Sequence, residues 1–124
     1  MAKSPVSTGL RAHLAGAAAE DQAARAYAAQ GYALVEQRWR GAAGEIDLIL
    51  RKGRLLVFAE VKTGPSYEAA VARINPRQMD RVQASATLFL EQQPEGALSE
   101  ARIDVALVFG TGEVEIIENA YGQG

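Results

Sequence analysis

The chain has 124 residues, of which 48% are hydrophobic and 23% are charged, values typical of one soluble globular domain. It has no cysteine and one histidine, which excludes disulfides, thiolate zinc sites and cysteine nucleophiles and argues against a Ser-His-Asp triad. The net charge of −2 argues against a general nucleic-acid binder, but the charge is unevenly distributed. Residues 36–81 carry nine basic and six acidic groups, whereas residues 82–124 carry one basic and seven acidic groups.

The beginning of the chain predicts a short tail followed by a helix. Residues 1–9 hold one lysine and no apolar run, so we expect a flexible tail rather than a signal peptide. No stretch reaches the roughly 18 apolar residues of a membrane span, so we expect a cytoplasmic protein that does not contact membranes. From about residue 10 to residue 30 the chain is alanine-rich and free of proline, which predicts a helix that Gly31 ends. One domain is expected over residues 10–121.

Three strands are predicted in the middle of the chain, separated by short turns. They span residues 32–40, 45–52 and 55–63. Short turns between successive strands predict antiparallel pairing. The third strand is largely apolar, so we expect it at the centre of the sheet.

A second helix and two further strands complete the pattern. Pro76 suits a first helical turn, and apolar residues then recur at helical spacing to about residue 93. We expect a loop at 92–99 and strands at 103–109 and 114–117. The order α-β-β-β-α-β-β predicts an α/β fold in which helices flank a mixed sheet. The buried side of the second helix is expected to carry Met79, Val82, Ala86, Leu88, Phe89 and Leu90.

Two predicted strands carry charged side chains among aliphatic ones. Because successive strand residues point to opposite faces, Glu45 and Asp47 share one face, and so do Phe58, Glu60 and Lys62. Burying such charges is costly unless they are paired or bind a metal ion. Two antiparallel strands joined by a tight turn can bring Asp47 close to Glu60.

Asp47, Glu60 and Lys62 together predict a Mg²⁺ or Mn²⁺ site for phosphodiester chemistry. Two carboxylates supply the oxygen ligands that Mg²⁺ prefers, and the cation lowers the pKa of a bound water and offsets charge on a phosphate oxygen. A lysine on the same face can stabilise the developing negative charge. The alternative is a structural ion pair between Lys62 and either carboxylate, which an isolated E-x-K motif would favour. The combination of GEIDLI with EVK is more specific than either motif.

Glu20 is a further candidate ligand, on the first helix. At helical spacing it shares a side with Gly16, Ala23 and Tyr27, which predicts that this side faces the sheet. A fringe position that reaches solvent is the alternative. Asp21 replaces Glu20 as the candidate if the helix is rotated.

Basic side chains near the proposed site are candidates for binding phosphate groups. They are Arg38, Arg40, Arg73, Arg77 and Arg81. Each of them alone is more often a solvated charge. Trp39 is expected in the core or at its edge, with base stacking as the alternative.

The same residues resemble a known family, the YraN family of small bacterial endonuclease-like proteins. The resemblance covers nearly the whole chain after the tail. It is carried by GAAAE at 16–20, GY at 31–32, RWR at 38–40, GEIDLI at 44–49, VFAEVK at 57–62, RIDV at 102–105 and IENAY at 117–121. It implies a restriction endonuclease-like fold, similar to that of archaeal Holliday-junction resolvases and other PD-(D/E)xK nucleases.

By motif position, the resemblance also implies roles for individual residues. Asp47 would be the PD aspartate, Glu60 and Lys62 the (D/E)xK pair, and Glu20 the first-helix glutamate. These four are the expected catalytic residues, and the three carboxylates are the expected metal ligands. Gln78 stands where many relatives have lysine, and it joins the candidates for substrate binding.

The implied function is metal-dependent hydrolysis of phosphodiester bonds in DNA, with branched and single-stranded forms as candidate substrates. The alternative is a non-catalytic member of the same fold that binds nucleic acid or a protein partner. Fold alone does not decide between them. A homodimer stands as an alternative to a monomer.

Overall fold

A computed structural model describes residues 5–94 and 100–120, with side chains from Gly16 onward. In these ranges five strands form one sheet, accompanied by three helices. The elements are α1 (Pro5–Ala29), β1 (Ala33–Gly41), β2 (Gly44–Lys52), β3 (Leu55–Gly64), α2 (Tyr67–Val71), α3 (Pro76–Glu91), β4 (Glu100–Phe109) and β5 (Glu113–Ile117). No helix of the described ranges is long and apolar enough to span a bilayer.

The sheet is mixed, and its spatial order β1-β2-β3-β4-β5 follows the chain. β1 pairs with β2 and β2 with β3 in antiparallel fashion, as the short turns predict. β3 and β4 are parallel, and α2 and α3 supply the long crossover that a parallel pair requires. β5 returns antiparallel to β4. The predicted α/β class, the mixed sheet flanked by helices and the central position of β3 are confirmed.

An apolar core lies on each face of the sheet. α1 covers one face through Ala19, Ala23 and Tyr27. α2 and α3 cover the other face, where the ring of Phe89 meets that of Phe58 with centroids 5.8 Å apart. Alternate residues of β3 therefore enter different cores, and the even-numbered ones from Phe58 onward face α3.

The helices differ from the prediction in three places. α1 begins at Pro5, inside the predicted tail, and the first four residues of that tail lie outside the described ranges, as do residues 95–99 of the predicted loop. α2 is absent from the predicted pattern, where Gly64, Pro65 and Ser66 read as a break. Ser66 is its N-cap, and the side chain accepts a hydrogen bond from the amide of Ala69 at 3.1 Å.

The third difference concerns the buried side of α3. Met79, Val82, Ala86 and Phe89 are buried as predicted, whereas Leu88 and Leu90 are half-buried. Ser85, which the predicted buried side does not include, is fully buried. Its hydroxyl donates a hydrogen bond to the carbonyl of Gly44 at 2.9 Å, which ties α3 to the start of β2.

Candidate metal centre

Asp47 and Glu60 occupy neighbouring positions on β2 and β3. The register that pairs Leu48 with Ala59 places them opposite each other one step further along. The paired backbone of β2 and β3 ends at Leu48 and Ala59, and beyond it the Oδ2 atom of Asp47 accepts a hydrogen bond from the amide of Val61 at 2.8 Å. Glu60 is 1% exposed and Asp47 is half-buried. The two carboxylates therefore meet between adjacent strands.

The carboxyl group of Glu60 is buried without a donor. Among the described residues, no N–H or O–H group donates a hydrogen bond to either of its oxygens. Burial raises the pKa of Glu60 well above its usual range, and the negative charge of Asp47 raises it further. Burial also raises the pKa of Asp47, while the hydrogen bond from the amide of Val61 acts in the opposite direction.

Two facing carboxylates can be accommodated in two ways. Ionised carboxylates only accept hydrogen bonds, so a bond between Asp47 and Glu60 requires that one of them keep its proton. The other way is a divalent cation that takes oxygens from both groups. Mg²⁺ and Mn²⁺ prefer oxygen ligands, and the buried, donor-free oxygens of Glu60 fit such an ion.

Lys62 lies beside the pair on the face that α3 covers. Its ammonium donates a hydrogen bond to the side-chain carbonyl of Gln78, in the first turn of α3. In the described part of the chain Lys62 makes no ion pair with Asp47 or Glu60, contrary to the structural alternative considered from the sequence. Gln78, a candidate for substrate binding, instead holds Lys62.

Glu20 is bound to β1 rather than grouped with the other two carboxylates. Its Oε1 atom accepts hydrogen bonds from Nε of Arg38 at 2.8 Å and from Nε2 of Gln37 at 3.2 Å. The fallback residue Asp21 is 3.5 Å from the same Gln37 nitrogen. Within residues 16–94 and 100–120, no three acidic or histidine side chains are grouped to hold a metal ion. The structure thus brings two of the three predicted ligands together.

Arg38 has an unusual backbone for a strand residue. Its φ of +55° lies in the left-handed region, which residues with a side chain seldom adopt and which costs about 1–3 kcal/mol. The pairs Gln37–Leu48 and Trp39–Ile46 flank it, so its position on β1 is opposite Asp47. No feature of the sequence predicts this conformation.

The remaining arginine candidates lie on the surface. Arg40 is 81% exposed and its guanidinium is 3.5 Å from the carboxylate of Glu45. Arg77 and Arg81 are exposed on α3, and Arg73 is exposed between α2 and α3. Arg81 also approaches Gly44 at the start of β2, so it lies at the same end of the sheet as Asp47.

Trp39 is a core residue rather than a free aromatic surface. Its ring is half-buried and meets the ring of Phe89 edge-on, with centroids 5.2 Å apart. This confirms the expectation of a position at the edge of the core.

A second buried carboxylate, Asp104 on β4, is fully satisfied. It accepts hydrogen bonds from the hydroxyl of Tyr27 at 2.8 Å, from Nε of Arg102 at 2.8 Å and from the amide of Asn119 at 2.9 Å. This network joins α1, β4 and the segment after β5, and it accounts physically for the RIDV motif. Asp104 is therefore a structural buried acid, whereas Glu60, which lacks a donor among the described residues, is a candidate ligand.

The candidate site does not coincide with either of two surface clefts. A cleft of about 230 Å³ lies beside α3, and one of about 340 Å³ lies at the ends of β3 and β4. Neither is lined by Asp47 or Glu60. The chemistry of the two carboxylates, rather than the size of a cavity, therefore identifies the candidate site.

Comparisons with known proteins agree on one family. Residues 19–108 match the model of the family described as "Uncharacterised protein family UPF0102". The chain is 61% identical to a UPF0102 protein of Ruegeria sp. (strain TM1040) over 94% of both chains. It is 51% identical to one from Ruegeria pomeroyi, over 98% of this chain and 99% of the relative, and 48% identical to one from Roseobacter denitrificans, over 96% and 92%. The matched region contains Glu20, Asp47, Glu60 and Lys62.

Proposed function

The chain belongs to the UPF0102 family, and from the geometry of its two facing carboxylates we propose that it is a divalent-cation-dependent nuclease of the PD-(D/E)xK type. The resemblance to YraN-type proteins suggests this activity. The proposed reaction is hydrolysis of phosphodiester bonds in DNA.

One observation carries the proposal. The buried oxygens of Glu60 lack a donor among the described residues while the side chain lies beside Asp47. A protein seldom leaves a buried carboxylate in this state unless it serves a function. The adjacent Asp104 network shows that this fold can satisfy a buried acid where the acid is structural.

Asp47 and Glu60 would hold the cation, and Mg²⁺ or Mn²⁺ suits their oxygens. When bound, the cation supplies Lewis acidity to the phosphodiester and lowers the pKa of water. Lys62, on the same face, would stabilise the negative charge that develops on the phosphate. Gln78 fixes the direction of that ammonium through its hydrogen bond, and so restricts Lys62 to the side of the site next to α3.

Exposed arginines support a nucleic-acid substrate. Arg81 on α3 and Arg40 on β1 lie at the end of the sheet at which β2 begins, and Arg77 precedes Arg81 by about one turn of α3. Each can bind a phosphate group without reading sequence. Strand β5 lies at the opposite edge of the sheet from β1, so its acidic residues Glu113 and Glu115 are on the far side of the sheet.

The decisive experiment is cleavage of a panel of nucleic acids in the presence of Mg²⁺ or Mn²⁺. The panel contains duplex, single-stranded and branched DNA and the matching RNA forms, and it is run with wild type, Asp47→Asn and Lys62→Ala. We expect cation-dependent cleavage of at least one DNA form by wild type and a loss of about 10²-fold or more in both variants. Cleavage that survives Asp47→Asn would refute the proposed site.

The second candidate is a non-catalytic member that binds nucleic acid or a protein. It is favoured by the net charge of −2 and by the pairing of Glu20 with Arg38, which leaves two carboxylates in the described cluster. Binding of DNA that depends on the divalent cation, with no cleavage of any member of the panel, would establish this candidate instead.

A further inference from the structure

The guanidinium of Arg38 is held at one edge and open at the other. Its Nε atom donates to Oε1 of Glu20 at 2.8 Å. In the described part of the structure, the two terminal nitrogens have no hydrogen-bond partner. The Arg38 side chain is 36% exposed, whereas that of Glu20 is 12% exposed. The ion pair thus engages Nε and leaves the two terminal nitrogens of a partly exposed side chain available to a ligand.

The position of this edge is set by the sheet. Arg38 on β1, Asp47 on β2 and Glu60 on β3 occupy one row across three neighbouring strands, as the two registers show. Neighbouring strands lie about 4.8 Å apart, so the backbone of Arg38 lies beside that of Asp47. The hydrogen bond to Glu20 raises the pKa of Arg38 and the charge of Asp47 contributes to the same shift, so the guanidinium is within electrostatic reach of this carboxylate. Its left-handed backbone breaks the regular strand at this one residue. Strain of this kind concentrates at functional sites, where it fixes a side chain in a direction that relaxed backbone would not give.

We propose that Arg38 binds a phosphate group beside the cation and that Glu20 is the residue that positions Arg38, not a third metal ligand. This inference rests on the proposed nuclease function and adds an anion site to it. The two terminal nitrogens form a planar fork that matches two oxygens of a phosphate. A lysine could not be tethered through one nitrogen and still offer such a fork.

The surroundings of Glu20 agree with a positioning role. Its Oε1 atom accepts from both Arg38 and Gln37, so its charge is compensated by donors from β1. Glu60, in contrast, receives no hydrogen bond from the described residues. A cation stabilises a carboxylate that already accepts hydrogen bonds less than it stabilises a buried carboxylate without a donor.

The test separates metal binding from phosphate binding. Calorimetric titration with Mn²⁺ is carried out on wild type, Asp47→Asn, Glu20→Gln and Glu20→Ala. DNA affinity for a short single strand is measured with Ca²⁺ and without divalent cation, adding Arg38→Lys to the set. We expect Glu20→Gln to keep the wild-type Mn²⁺ affinity within about twofold, because a positioning residue makes no bond to the cation. Glu20→Ala and Arg38→Lys should weaken DNA binding about tenfold, the effect of losing one hydrogen bond between charged groups.

The conservative variant Glu20→Gln should retain part of the DNA binding that Glu20→Ala loses. Glutamine at position 20 still offers an oxygen to Nε of Arg38, so Glu20→Gln should bind DNA more tightly than Glu20→Ala. Thermal melting of each variant shows whether it is folded, and an unfolded Glu20→Ala leaves Glu20→Gln and Arg38→Lys to decide.

Two results would overturn the inference. One is a loss of Mn²⁺ affinity in Glu20→Gln as large as that in Asp47→Asn, and the other is unchanged DNA affinity in Arg38→Lys. Failure of the proposed function looks different: Asp47→Asn would then bind Mn²⁺ as wild type does. If the metal site fails in this way, the DNA affinity measured without divalent cation still tests whether Arg38 binds phosphate.

Discussion

Asp47 and Glu60 face each other across the antiparallel pair β2 and β3, and the described residues supply a donor to Asp47 but none to Glu60. Two negative charges on directly opposite strand positions, with one of them buried, oppose folding unless a proton or a cation lies between them. The fold therefore tolerates an unfavourable pair between β2 and β3, where a bound cation can offset the repulsion.

Divalent cations should stabilise the fold through this pair. Mn²⁺ at about 100 times its dissociation constant should raise the free energy of unfolding by about 2.7 kcal/mol, since it binds the folded state. Asp47→Asn should abolish this gain because one of the two ligands is lost. Thermal unfolding with and without Mn²⁺ measures the effect, and Glu115→Gln, on the distant strand β5, is the matched control. An equal Mn²⁺ shift in wild type and Asp47→Asn would show that the cation binds elsewhere.

Metal affinity should rise with pH. The raised pKa of Glu60 keeps its carboxyl protonated near neutral pH, so the cation must displace a proton. At pH values below that pKa, the affinity for the cation should increase about tenfold for each unit by which the pH is raised. Binding near neutral pH should release about one proton. Calorimetry in two buffers of different ionisation enthalpy counts the protons. Affinity that does not vary with pH would contradict a protonated Glu60.

Without metal, Glu60→Gln should be more stable than wild type at neutral pH. Because the pKa of Glu60 is higher in the folded than in the unfolded state, the folded state binds more protons between the two values, and stability falls as pH rises through that window. A neutral glutamine removes this loss and can donate to Asp47. We expect a gain on the order of 1–2 kcal/mol and a melting temperature several degrees higher.

Melting curves from about pH 4 to about pH 8 would show the two proteins converge at low pH, where Glu60 is protonated in both states. A variant that melts below wild type at neutral pH would refute this account of the pair.

Neutralising Asp104 should destabilise the fold, whereas neutralising Glu60 should stabilise it. Asp104→Asn removes the charge opposite the guanidinium of Arg102, so we expect a loss of about 3–5 kcal/mol in the free energy of unfolding. Glu118→Gln is the control, because Glu118 is 57% exposed, pairs with Arg102 at 3.5 Å and should contribute less than about 1 kcal/mol. Urea denaturation measures both. Similar losses in the two variants would show that the buried network is not the source of stability.

Arg77 and Arg81 should contribute to DNA binding through phosphate contacts. Replacing either with alanine should weaken binding about equally for all sequences and reduce the slope of log affinity against log salt by about one. Arg25→Ala, on α1, is the control. Binding measured by fluorescence anisotropy at four salt concentrations, with Ca²⁺ in place of Mg²⁺, gives the slopes. A slope unchanged in both variants would place the DNA on another surface.

Local periodicity is sufficient to predict most of the sheet. The apolar composition of β3 predicts its central position, which the sheet order confirms. Alternation along the strand predicts that Phe58, Glu60 and Lys62 share a face, and the contacts of Phe58 and Lys62 with α3 agree with it. The same alternation predicts that Asp47 meets Glu60. These features depend on neighbours within one hairpin, where sequence distance and spatial distance agree.

Tertiary packing decides which donor meets which acceptor between elements. Glu20 pairs with Arg38 across 18 positions of sequence, and Tyr27 pairs with Asp104 across 77. Such contacts depend on how α1 lies over the sheet, and a helix can rotate or shift without changing its sequence pattern. The sequence by itself therefore determines the carboxylate pair and its lysine, because strand geometry fixes them locally. Whether Glu20 faces that pair or an arginine is decided only when the helix packs on the sheet.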